Sequence, residues 1–96
     1  MINTTPSQII DKEQIPKIKF SKEETLTNKK SRSLRAYYLR RASQLGNLFK
    51  SKVRIYFKNQ QNELFQVNTT IWGDTSDFII LKQGITIPKS SIIYVE

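Results

Sequence analysis

The sequence contains neither cysteine nor histidine. Those absences exclude a disulfide framework, a Cys/His zinc site, a thiol nucleophile and an imidazole acid or base. No metal and no cofactor is expected. The remaining candidates for chemistry are the carboxylates Glu63, Asp74 and Asp77 and the adjacent Lys89-Ser90 pair. A carboxylate in a turn is ordinarily structural, and neighbours along a strand or turn need not converge on one point, so an enzyme is not expected. Long apolar runs are also missing. No stretch approaches the roughly 20 residues that span a bilayer, and Met1 to Ile10 lacks the charged start and apolar run of a secretory signal. A cytoplasmic protein without a membrane partner is the expectation.

The most telling shortage is local. Between Thr25 and Asn62 there is no aspartate or glutamate, yet the same stretch holds ten bases. They are Lys29, Lys30, Arg32, Arg35, Arg40, Arg41, Lys50, Lys52, Arg54 and Lys58. Residues 1–28 carry four bases and four acids, and residues 59–96 carry two bases and four acids. The net charge of +8 is therefore concentrated in the centre. Tyr37, Tyr38, Phe49, Tyr56 and Phe57 lie among the bases, with flat faces that can pack in a core or stack on a base. A polyanion, with RNA foremost, is the partner such a surface calls for.

With 96 residues the chain makes one domain at most. Residues 1–30 read as an extended arm, broken by Pro6 and Pro16, that orders on a partner. Its apolar residues Ile9, Ile10, Ile15, Ile18, Phe20 and Leu26 are too dispersed for a core of their own, and Ile15 to Phe20 alternates like a strand or ribbon. Residues 31–96 read as a basic helix followed by a small β-barrel. Ser31 or Ser33 is the expected cap, Leu34 to about Leu45 the helix, and Gly46-Asn47 the stop. Leu34, Tyr38, Ala42 and Leu45 form one stripe expected to dock on the core, with Arg32, Arg35 and Arg40 on the flanks and far side. An ordinary solvated helix mixes charge signs at i,i+4, whereas this one has no acid to pair with.

From Lys52 the apolar period changes to two. Five strands are expected: Lys52 to Lys58, Leu64 to Trp72, Phe78 to Lys82, Ile85 to Ile87 and Ser91 to Val95. The run Phe78-Ile-Ile-Leu81 suggests burial on both faces of the third. Short sequential strands joined by tight turns describe a mainly β fold, a five-stranded antiparallel Sm-like or SH3-like barrel.

The order of helix, five strands and a one-turn connector before the last strand resembles the bacterial Sm-like RNA chaperones over residues 34–95. The matching text is Leu39-Arg-Arg41, Val53-Arg-Ile-Tyr-Phe57, Ser76-Asp-Phe-Ile-Ile-Leu81 and Pro88-Lys-Ser-Ser-Ile-Ile93. That resemblance implies RNA contacts from Arg40 and Arg41 on a lateral rim, from Tyr56 on one face, and from Phe78 with Lys89 on the other. Asp77 and Ser90 depart from the family's neutral polar residue and connector histidine, and Thr69-Thr70 replaces a bending glycine. The barrel is therefore expected and the hexameric ring is not.

Residues 39–95 also resemble a group of small basic proteins of the Bacteroidota, including a lineage-specific large-subunit ribosomal protein. The text carrying this is Leu39-Arg-Arg-Ala-Ser-Gln-Leu-Gly-Asn47, Lys50-Ser-Lys-Val53, Thr69-Thr-Ile-Trp72 and Ile79-Ile-Leu-Lys-Gln-Gly84, followed by Ile87-Pro88. This resemblance implies a structural protein of the large ribosomal subunit that neutralises rRNA phosphates and touches neighbouring ribosomal proteins. On this ribosomal reading the charge pattern makes the candidate RNA-binding residues Lys29, Lys30, Arg32, Arg35, Tyr37, Arg40, Arg41, Lys50, Lys52, Arg54, Tyr56, Lys58 and Lys89. The other reading is a free Sm-like RNA chaperone or regulator, acting as an oligomer through its sheet edges. Trp72 is a further candidate base platform, though a lone tryptophan is more often a packing residue.

Overall fold

Alternating strands after one helix produce two small sheets folded over a shared core. The computed structural model describes residues 7–96. Two short strand residues, β1 (Gln8–Ile9), precede helix α1 (Lys29–Phe49). Then come β2 (Val53–Lys58), β3 (Leu64–Thr69), β4 (Ile71–Asp74), β5 (Phe78–Leu81), β6 (Thr86–Pro88) and β7 (Ile92–Val95). One sheet has the order β1-β3-β2-β7 and the other β4-β5-β6. All pairings are antiparallel except β1 with β3.

The described residues thus form seven strands, where the sequence suggests five. The expected long strand from Leu64 to Trp72 is divided at Thr70 into β3 and β4, which belong to different sheets. The bend shows in the burial: Phe65, Val67 and Thr69 alternate inward, but Thr69, Thr70 and Ile71 are all buried in succession. At Thr70 the chain passes from one sheet to the other without a glycine. The remaining strands lie close to their expected positions. In β5 only Ile79 and Leu81 are fully buried, while Phe78 is exposed and Ile80 intermediate. The continuous apolar run therefore has one core face, not two.

Turn chemistry closes the hairpins. The Asn59 side-chain oxygen accepts from the backbone N–H of Gln61 and Glu63, and Asn62 takes a φ of 67°. Gln83 and Gly84 both have positive φ, and a glycine supplies one of the two left-handed residues.

The core is built from Leu39 and Ala42 of α1 together with inward residues of six strands and one residue of the arm, Ile15, which is only 1% exposed. Here the arm departs from its expected form. Ile10, Ile18 and Phe20 also pack against this core, and the Phe20 ring lies 5.8 Å from that of Phe57. A two-turn 3-10 helix, Lys12–Lys17, replaces the expected alternation around Ile15. The arm is further held by β1 beside β3, by the Gln60 N–H donating to the Lys19 carbonyl (2.7 Å), and by the Thr25 N–H donating to the Ser90 carbonyl (2.8 Å). Dispersed apolar residues insufficient for an independent core suffice to complete a shared one. Pro6 and the residues before it lie outside the described residues.

Candidate nucleic-acid interface

Helix α1 is longer and differently rotated than its sequence suggests. Its cap is Asn28, whose side chain accepts from the N–H groups of Lys30 (2.8 Å) and Ser31 (3.2 Å). It runs through Gly46 and Asn47 and ends where Lys50 adopts a left-handed conformation. Gly46 serves contact instead of termination: a Cβ there would collide with the Ile71 carbonyl oxygen. The docked face is Leu39, Ala42, Ser43 and Gly46. Three of those four are small, which lets the helix backbone lie against the edge of β4. Of the stripe expected to dock, only Ala42 is buried. Leu45 is intermediate, and Leu34 and Tyr38 (44% exposed) face outward.

This rotation divides the ten bases by role. Arg32 and Arg35, expected on the flanks and far side, turn toward the body. The Arg32 guanidinium donates to the carbonyls of Leu26 (3.1 Å) and Thr27 (2.9 Å), closing the approach to the helix. Arg35 makes a bidentate pair with Glu24 at 2.6 and 2.7 Å and donates to the Ile92 carbonyl at 2.9 Å. Its guanidinium ties arm, helix and β7 together. The hydrogen bond from Arg35 holds the Glu24 carboxyl below the usual carboxylate range, against the opposing effect of partial burial. Arg54 pairs with Glu96 at 2.8 Å across β2 and the chain after β7, and the same carboxylate accepts from the Tyr56 hydroxyl. The neighbouring Tyr56 hydroxyl and the Glu96 carboxylate raise the Arg54 pKa.

Lys29, Lys30, Arg40, Arg41, Lys50 and Lys52 are exposed and take part in no ion pair among the described residues. Four project from the outer and lateral surface of α1 and two lie just after its end. Tyr37 is exposed beside them, edge-on to Tyr38 with ring centroids 5.3 Å apart. Lys58 is on the outward face of β2, half-buried.

Two further groupings bear on the implied sites. Tyr56 lies opposite Tyr94 across β2 and β7, with ring centroids 5.9 Å apart. Tyr94 was not singled out from sequence because its neighbour is fixed only by strand register. Phe78 and Lys89 both line a cleft of about 600 Å³ between the arm, α1 and the β5–β6 hairpin. There Lys89 pairs with Asp74, which makes it part of a local ion pair and not a free cation. Trp72 is half-exposed on β4.

Of the expected bases, Arg32, Arg35, Arg54 and Lys89 already have intramolecular partners, which leaves only a subset unpaired among the described residues. No helix among the described residues is long and apolar enough to cross a membrane. No protein-family model, no curated protein and no solved structure matches this chain.

Proposed function

We propose that the chain is an RNA-binding structural protein of the large ribosomal subunit, with α1 laid against rRNA phosphates. The observation that carries this reading is the group of unpaired bases from an acid-free stretch of sequence: Lys29, Lys30, Arg40 and Arg41 on the helix, then Lys50 and Lys52. Neighbouring cations without acidic partners, as at Lys29-Lys30 and Arg40-Arg41, repel one another in isolation, and phosphates relieve that repulsion while releasing condensed counterions. The helix is docked by its opposite face, so binding requires no ordering of these residues' backbone. Lys58, Tyr37 and Tyr56 extend the surface as secondary contacts.

The strand order supports an Sm-like or SH3-like barrel within this reading. Taking β3 and β4 as one strand bent at Thr70, the neighbours run β7-β2-β3/β4-β5-β6, with a one-turn connector between β6 and β7. The outer positions of β6 and β7 favour a second reading, a free oligomeric RNA chaperone that joins copies through those edges.

Replacing Arg40, Arg41 and Lys52 together with glutamate should weaken RNA binding at least tenfold near physiological salt, measured by filter binding, while the circular dichroism spectrum is retained. Affinity of the native chain should fall steeply with salt. Unchanged affinity in the triple variant would remove this surface from consideration. Co-sedimentation with the large subunit through a high-salt cushion separates the ribosomal reading from a ring that elutes free of ribosomes.

A further inference from the structure

RNA binding leaves the outer face of α1 partly unexplained. Leu34, Tyr38, Leu45 and Leu48 recur with Arg41 at intervals of four, three, four and three residues. That spacing is the a/d seam of a coiled coil. At about 100° per residue the seam borders the docked face where Tyr38 and Leu45 flank Ala42, and turns outward at Leu34, Arg41 and Leu48. Apart from the half-buried Leu45 it is open to solvent: Leu34 is 46% exposed and Leu48 74%, with Phe49 (70%) beside it. From Leu34 to Leu48 it spans about 21 Å, at about 1.5 Å per residue. The three leucines of the seam offer nothing to phosphate and no flat face to a base; only Tyr38 carries such a face.

We infer that this seam is a docking surface for an amphipathic helix of another protein, one that places a carboxylate opposite Arg41 between apolar anchors. The charge argument selects the occupant. Arg41 is the middle one of five seam positions, and there is no acid from Thr25 to Asn62 to neutralise it. A parallel second copy would bring arginine to arginine, and an antiparallel one, in which a positions face d positions, would set the two arginines in adjacent layers. A membrane surface requires an uninterrupted apolar centre with bases at its borders, and here the base is central. A partner carboxylate satisfies Arg41 and fixes the register, the role best attested for a single polar group in such a seam. Because α1 is already folded against the sheets, only the partner need become helical. This inference shares Arg41 with the RNA reading, so that side chain serves either a phosphate or the partner carboxylate, and the other seam residues are not used for phosphate contact.

The test uses two synthetic 21-residue peptides with leucines at a and d positions, identical except for glutamate or lysine at the position facing Arg41. Fluorescence anisotropy with the full chain should show the glutamate peptide bound at least tenfold more tightly. Arg41→Glu should reverse that preference. Leu34→Ser with Leu48→Ser should abolish binding of both peptides while leaving RNA affinity and the melting transition unchanged, since both leucines are exposed. The inference is overturned if neither peptide binds, if both bind equally, or if Arg41→Glu leaves the preference intact. It is equally overturned if the two serine substitutions remove self-association or binding to phosphatidylserine vesicles without affecting the peptides.

Discussion

The two faces of α1 have the same kinds of residue and opposite physical roles. On the inner face, Arg32 and Arg35 cap carbonyls and bind Glu24, next to Leu39 and Ala42 in the core. On the outer face, Arg40 and Arg41 have no acidic partner among the described residues, and Leu34 and Leu48 meet solvent. A guanidinium on this helix is structural or available according to whether a carboxylate or an orphan carbonyl lies within its reach. Composition cannot distinguish the two; the rotation of the helix does.

The largest effect that would break this contrast comes from truncating leucines on each side. Leu39 has no exposed surface, so Leu39→Ala should destabilise the fold by about 2–5 kcal/mol in urea unfolding, through lost burial and a residual cavity. Leu48→Ala, at 74% exposure, should change stability by no more than about 0.5 kcal/mol. Equal losses at the two positions would mean that the helix is docked through a different face.

A smaller effect tests why the inner face is where it is. Alanine has a helix propensity about 1 kcal/mol better than glycine, so Gly46→Ala would stabilise an ordinary solvated helix position. Here the added methyl meets the Ile71 carbonyl, and the helix must move away from β4. A net loss of about 1–3 kcal/mol is expected, read as a lower urea midpoint at unchanged slope. A gain would show that Gly46 is not a contact residue.

Much of the architecture was legible in the sequence because strand alternation is a strong signal. Ile55 and Phe57, or Phe65 and Val67, face the core as a period of two requires. The helix rotation was not legible, because two stripes compete. Leu34, Tyr38 and Leu45 are the more hydrophobic, and counting apolar residues selects them. The Ala42-Ser43 and Gly46 spacing is the weaker signal by hydropathy and the better one by shape, since small residues mark a close approach to a sheet. Likewise the arm's alternation from Ile15 to Phe20 points to a ribbon that the 3-10 helix replaces, and Ile15 finds its neighbours only through contacts distant in sequence. Of the candidate site, Lys29, Lys30, Arg40, Arg41, Lys50 and Lys52 remain available as their charge suggests. Arg35 could not be separated from them, because Glu24 lies eleven residues upstream with the arm's path between.

That Arg35–Glu24 pair gives the smallest and most selective test of the contrast. The Glu24 pKa is depressed in the fold by the Arg35 hydrogen bond, so its contribution is complete above the ordinary glutamate value of 4.5 and is lost as pH falls through the folded value. Arg35→Gln removes the charged partner and should lower stability by about 1–2 kcal/mol at pH 7, since the guanidinium is largely buried and donates to three acceptor oxygens. The difference between native and variant melting temperatures should then narrow as pH is lowered below 4.5, because protonation of Glu24 weakens the same pair in the native chain. RNA affinity should hardly change, in contrast to the loss expected on reversing Arg40 and Arg41. A variant at Arg35 that keeps its stability and loses RNA would place this arginine on the outer, phosphate-facing side of the division and undo the assignment of the inner face.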